Sequence, residues 1–201
     1  MHTLESVCRE LRLHQIPRLI DSVEGTTQEE WLVNLLVHEV EAKEQRRIDR
    51  LIKQANFSSV KTLEGFEWHD QIRVQDTQTK EQLVSLDFIQ SNQNVVCIGA
   101  PGTGKTHLAS ALGHKACQEG IDTRFWRVSD LVIELEKAWK ENQLPRFKKR
   151  FNRAELIILD EMGYIPFNKT GSELLFQLIS DWYETKSIII TSNLEFSSWN
   201  K

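Results

Sequence analysis

One stretch limits what this chain can fold into more than any other: Asn94-Val-Val-Cys-Ile-Gly99-Ala-Pro-Gly-Thr-Gly104-Lys105-Thr106-His-Leu-Ala-Ser-Ala-Leu112. Its centre spells G-x-x-x-x-G-K-T, preceded by a short β-branched run and followed by an amphipathic helical pattern. A strand entering a glycine-rich turn that opens a helix makes an anion nest, because consecutive backbone N–H groups converge where the helix presents its positive end. A triphosphate is the natural guest. Gly99, Ala100, Pro101, Gly102, Thr103 and Gly104 form the cradle and the helix continues through His107. The Lys105 ammonium reaches for the β/γ-phosphates, and the Thr106 hydroxyl is placed to ligate Mg²⁺.

Leu156-Ile-Ile-Leu-Asp160-Glu161 is the second informative stretch. Four apolar residues followed by two acids read as a buried parallel strand whose carboxylates emerge at its C-terminal end, where open α/β sheets bind ligands. Asp160 suits Mg²⁺, and Glu161 suits a base that orients and deprotonates the attacking water. A further strand, Ile188-Ile-Ile-Thr191, ends in Ser192-Asn193. Asn193 there either contacts the γ-phosphate or water, or is a turn residue, and both readings stay open.

The alternation of elements from residue 79 onward predicts an α/β fold with a parallel sheet flanked by helices. Strands are expected near 95–98, 123–128, 156–160 and 187–191, with helices over 105–118, 130–141 and 172–185, the last capped by Thr170-Gly-Ser-Glu173. A short helix is expected over 79–90. Before it, residues 57–78 read as a linker anchored by Phe66 and Trp68. Residues 1–56 read as a small helical domain, interrupted at Pro17 and ending in a long helix capped by Thr27 with Glu30. That helix carries Lys43, Arg46, Arg47, Arg50 and Lys53, a basic stripe able to follow a phosphate backbone. Glu39, Glu41, Glu44 and Asp49 lie among these bases, so a solvated, self-paired face is the competing reading.

Net charge is −4, so a nucleic-acid site has to be a local basic patch. Arg146, Lys148, Lys149, Arg150 and Arg153 make a second basic cluster, able to face DNA or the acids of a neighbouring subunit, with a solvated helix and turn as the competing reading. Three dispersed cysteines suit a reduced, intracellular protein, and no apolar run approaches the roughly 18 residues that span a bilayer. These features place the protein in the cytoplasm, away from membranes. His107 and His114 lack metal-site spacing and read as packing or surface residues.

Together GAPGTGKTHLA, LIILDEMGYIPF, GSELLFQLISDWYE and SIIITSNLEFSSW resemble the IstB-like AAA+ ATPases of bacterial insertion sequences, relatives of the DnaC-type helicase loaders. LRLHQIPRLI, EAKEQRRIDRLIKQANF and KTLEGFEW resemble that family's helical N-terminal domain and its junction, so the likeness covers essentially the whole chain. It implies a P-loop ATPase that uses ATP and Mg²⁺, oligomerises on duplex DNA and recruits and stimulates a partner transposase. It also makes Asn193 a γ-phosphate sensor and favours the basic stripe as a DNA contact. A helicase loader using ATP as a switch, or an inactive remnant, are the alternatives. Family members continue past Lys201 with an arginine finger, a last strand and a lid. On that basis the chain is expected to be truncated, to expose Val95–Ile98 as a sheet edge, and to hydrolyse ATP slowly or not at all, since such a finger is worth about 10³–10⁵-fold in rate.

Overall fold

The computed structural model describes residues 3–68, 80–163 and 168–194, which divide into two compact units, Met1–Arg50 and Leu51–Lys201. The end of the linker reading (69–78), Tyr164 and everything beyond Leu194 lie outside the described residues.

The first unit is helical. α1 (Leu4–Glu10) opens on a capping box in which the Ser6 N–H donates to Thr3 Oγ1 at 3.2 Å and the Thr3 N–H to Ser6 Oγ at 3.0 Å. α2 (Ile16–Leu19) carries Pro17 in its first turn, where a missing N–H costs nothing. α3 (Gln28–Ala55) starts where Thr27 accepts the Glu30 N–H at 3.1 Å. The Glu30 carboxylate reaches back to the Thr26 N–H at 2.8 Å, one residue earlier than a standard box. Cys8, Ile16 and Leu35 form the small core.

Glu39, 1% exposed on α3, is a buried charge of this unit. Its carboxylate accepts the Gln15 N–H at 2.6 Å and a bond from Arg46 Nη2 at 3.2 Å. Burial pushes this carboxyl up, but the Gln15 and His14 N–H groups and Arg46 outweigh it and hold it below the ordinary value.

The second unit is built on a four-stranded, wholly parallel sheet. Its strands are β1 (Val95–Ile98), β2 (Thr123–Arg127), β3 (Leu156–Asp160) and β4 (Ser187–Ser192), in spatial order β1-β4-β3-β2. The side chains of the central strands alternate between two cores. Ile157, Leu159 and Ile188 face α7 (Val128–Lys140) and α9 (Lys169–Trp182), packing with Leu131, Leu135, Leu178 and Trp182. Leu156, Ile158 and Ile189 face α6 (Lys105–Gln118), packing with Leu108 and Leu112 and with Leu83 and Phe88 of α4 (Lys80–Ser85) and α5 (Asp87–Gln90). Each such side chain contributes about 1.5–3 kcal/mol of burial. β3 is buried along its full length, as a central parallel strand requires.

Two details depart from the sequence expectations. The helix over 79–90 is two helices, because Leu86 adopts φ 67°. α9 begins at Lys169, not Ser172, because Asn168 is its cap: Asn168 Oδ1 accepts the Gly171 N–H at 2.8 Å while Nδ2 donates to Glu136. Phe66 and Trp68 anchor the linker as expected, packing with the core on the α6 side, and Phe57 joins them. A short α8 (Leu144–Lys148) carries part of the second basic cluster, in line with the helix-and-turn reading of that stretch. Among the described residues, no helix is long and apolar enough to cross a membrane.

Candidate nucleotide site

The C-terminal edge of the sheet gathers the P-loop, the acidic pair and the end of β4. Gly102 (φ 81°) and Gly104 (φ 87°) take left-handed backbone that an L side chain resists, turning the chain from β1 into α6. A Cβ on Gly102 would meet nothing within 4 Å, so this part of the loop lies open to a ligand. A Cβ on Gly104 would lie 3.1 Å from the Phe66 ring, so this glycine also lets the aromatic close on the loop. His107 turns to the same side, with Nε2 3.2 Å from the Thr62 carbonyl and its ring 5.4 Å from Phe66.

Lys105 Nζ donates to the carbonyls of Gly99 and Ala100, both at 2.8 Å, and lies 3.4 Å from Thr103 Oγ1. The ammonium therefore rests over the loop it belongs to. Burial lowers its pKa, and the negative charge of Asp160 works in the opposite direction. Beneath the loop, desolvation pushes the Cys97 thiol up to about 11, so it is a neutral packing group near pH 7.

Asp160 is 1% exposed and joins the two halves of the site. Its Oδ1 accepts from Thr106 Oγ1 at 2.7 Å and from Thr191 Oγ1 at 2.5 Å. Glu161 follows in left-handed backbone, φ 62°, which puts it at the exposed mouth while its N–H donates to Thr191 Oγ1 at 3.0 Å. Asn193 is the next residue after β4, half-buried. The structure thus brings Gly99–His107, Asp160, Glu161 and the approach to Asn193 to one edge. Thr191 carries no signal of such a role in the sequence. A hydroxyl closing a β-branched run reads simply as strand propensity.

The basic stripe lies on α3, where Lys43, Arg46, Arg47, Arg50 and Lys53 are all exposed. Arg46 is engaged by Glu39, and Arg47 lies 3.4 Å from Glu44. No ion pair among the described residues holds Lys43, Arg50 or Lys53.

The sequence model of the IstB-like ATP binding protein family matches residues 8–201. The chain belongs to that family. It is 36% identical to the ATP-binding protein of insertion sequence IS21 from Pseudomonas aeruginosa, over 100% of this chain and 78% of that one. To the counterpart from insertion sequence IS232 of Bacillus thuringiensis subsp. berliner it is 35% identical, over 86% and 68%. This IstB-like chain also shares its fold with AMPPCP-bound DnaA from Aquifex aeolicus, at TM-score 0.62 and 23% identity. That match covers 72% of this chain and 45% of DnaA, so the chain spans less than half of that protein's length. DnaI gives TM-score 0.56 at 13% identity, over 75% and 78%. The likeness to these two is one of fold, the parallel sheet with its flanking helices.

Proposed function

We propose that this IstB-like chain binds ATP with Mg²⁺ at the P-loop and hydrolyses it, and that nucleotide controls its grip on duplex DNA and its engagement of a partner transposase. The observation that carries the chemical part is the hydrogen-bond chain Thr106–Asp160–Thr191, which fastens the phosphate loop to the strand end bearing the acids. The donor set suits a hard divalent cation: the Thr106 hydroxyl and the Asp160 carboxylate are adjacent oxygens, and the Thr106 and Thr191 hydroxyls both donate to Oδ1 rather than Oδ2. Bound there, Mg²⁺ would offset the charge of the β- and γ-phosphates.

The chain's own groups do the rest. Backbone N–H groups from Gly102 to Thr106 and the positive end of α6 hold the phosphates, and Lys105 leaves its loop carbonyls for the phosphate oxygens. Glu161, at the exposed mouth, accepts the proton of the attacking water. Asn193 contacts the γ-phosphate side of the same space.

Residues 79–201 are the ATPase core in this reading, joined through 57–78 to a DNA-binding and interaction region in 1–56. Lys43, Arg47, Arg50 and Lys53 contact phosphates along the duplex, with Arg46 held back by Glu39. Homo-oligomers form on DNA with ATP, and the cytoplasm is the compartment. Support comes from family membership and from the relatives' origin in insertion sequences. Fluorescence anisotropy of a labelled duplex, with and without Mg-ATP, tests the coupling. Tighter binding with ATP that weakens steeply with salt agrees with it, and ATP-independent or absent binding contradicts it.

A further inference from the structure

Thr191 is 1% exposed, and its one hydroxyl serves both acids. Its proton goes to Asp160 Oδ1 at 2.5 Å, and its lone pair receives the Glu161 N–H at 3.0 Å. The Thr191 carbonyl accepts the next N–H, that of Met162, at 2.8 Å. The last residue of β3 and the two that follow it are thereby bonded to one residue of β4. Ser192 extends the seam by donating to the Met162 carbonyl at 2.8 Å and accepting the Leu194 N–H at 3.1 Å. From the other side, the Gly99 N–H donates to the Ser192 carbonyl at 3.3 Å, so β4 also anchors the start of the P-loop.

This arrangement matters because Glu161 is neither glycine nor asparagine, yet holds φ 62°. Left-handed backbone is disfavoured for such a residue and persists only where surrounding contacts over-determine it. The Thr191 hydroxyl is one of those contacts. It also orients the Asp160 carboxylate by occupying the oxygen shared with Thr106.

We propose that Thr191 is a positioning residue for ATP hydrolysis, its hydroxyl setting the Glu161 carboxylate relative to Asp160 and the phosphate loop. The inference rests on the ATPase reading above. Thr191 touches no reacting atom, so its removal shows in turnover rather than in nucleotide affinity. Thr191→Val keeps the side-chain shape and removes the proton and the lone pair together.

The test measures kcat, KM and ATP affinity for wild type, Thr191→Val and Thr191→Ser, with Lys105→Ala and Glu161→Gln as controls of the site itself. Thr191→Val is expected to lower kcat by about 10–100-fold and to leave KM and ATP affinity within about threefold, the signature of misplaced groups. Thr191→Ser restores most of the rate. Combined with Glu161→Gln, the valine change costs little more, because both act through one carboxylate. Should Thr191→Val not fold, Thr191→Cys, of similar size with a weaker donor, is measured in its place with the same pattern expected.

Unchanged kcat in Thr191→Val overturns the inference, as does a parallel loss of affinity and rate that serine does not rescue. If the two controls abolish turnover and the valine variant does not, only this inference falls. If the wild type shows no turnover, or the controls leave it intact, the ATPase reading fails and this inference with it.

Discussion

Thr106 and Asp160 stand 54 positions apart in sequence, and their side chains meet in a 2.7 Å hydrogen bond, Oγ1 to Oδ1. That bond ties the first turn of α6 to the end of β3 and places two hard oxygen donors beside the phosphate loop. Asp160→Asn keeps the shape but replaces a charged acceptor with a neutral amide. Titrating ATP binding against Mg²⁺ is expected to show the cation's contribution reduced by about 1.5–3 kcal/mol, the scale of a hydrogen bond to a charged group. A Mg²⁺ dependence equal to wild type would remove Asp160 from the site.

Glu161 projects from strained backbone at the mouth, so its carboxylate is expected to affect chemistry more than binding. Glu161→Gln should lower kcat by about 10²–10⁴-fold, the usual range for a general base, with nucleotide affinity retained. Single-turnover hydrolysis and equilibrium binding on the same preparation check both halves.

Gly113 on α6 faces β3 so closely that a Cβ would stand 2.5 Å from Ile158 Cδ1 and 2.9 Å from the Phe57 ring. Gly113→Ala should therefore destabilise the sheet unit by about 1–3 kcal/mol through overpacking, despite the better helix propensity of alanine. Urea unfolding gives the sign, and a stabilised variant would show that the contact relaxes freely.

The legible parts of the fold were those whose chemistry is local. The P-loop is contiguous, and β3 announces itself as an unbroken apolar run ending in acids, so both stood in the sequence with their neighbours β1 and α6. What stayed hidden depends on partners distant in sequence. Arg46 reads either as a phosphate contact or as half of an i,i+4 pair, yet its partner is Glu39, seven residues back, whose other oxygen is held by the Gln15 N–H. Asn168 displaces Thr170 as the α9 cap because its amide also finds Glu136 on α7. Thr191 shows its part only when β4 lies next to β3, an adjacency that sequence order does not state.

Glu39 gives the helical unit a pH dependence of known sign. Its folded pKa lies below the ordinary value of 4.5, so the stabilisation it supplies is full at neutral pH and is lost as pH falls below about 4.5 through the folded value. Glu39→Gln should flatten the acid limb of the unfolding profile and destabilise the unit at pH 7 by about 1–3 kcal/mol. Circular dichroism melts of both proteins between pH 3 and pH 7, on the range where carboxylates titrate, measure it.

Phosphate release from Mg-ATP by wild type and Lys105→Ala, with and without duplex DNA, shows whether the P-loop and the Asp160–Glu161 strand end form one ATP-hydrolysing site. Mg²⁺-dependent release that DNA increases and that the Lys105→Ala variant lacks is the expected result. Release that persists unchanged in Lys105→Ala, or wild-type protein that neither binds nor hydrolyses ATP, would rule such a site out.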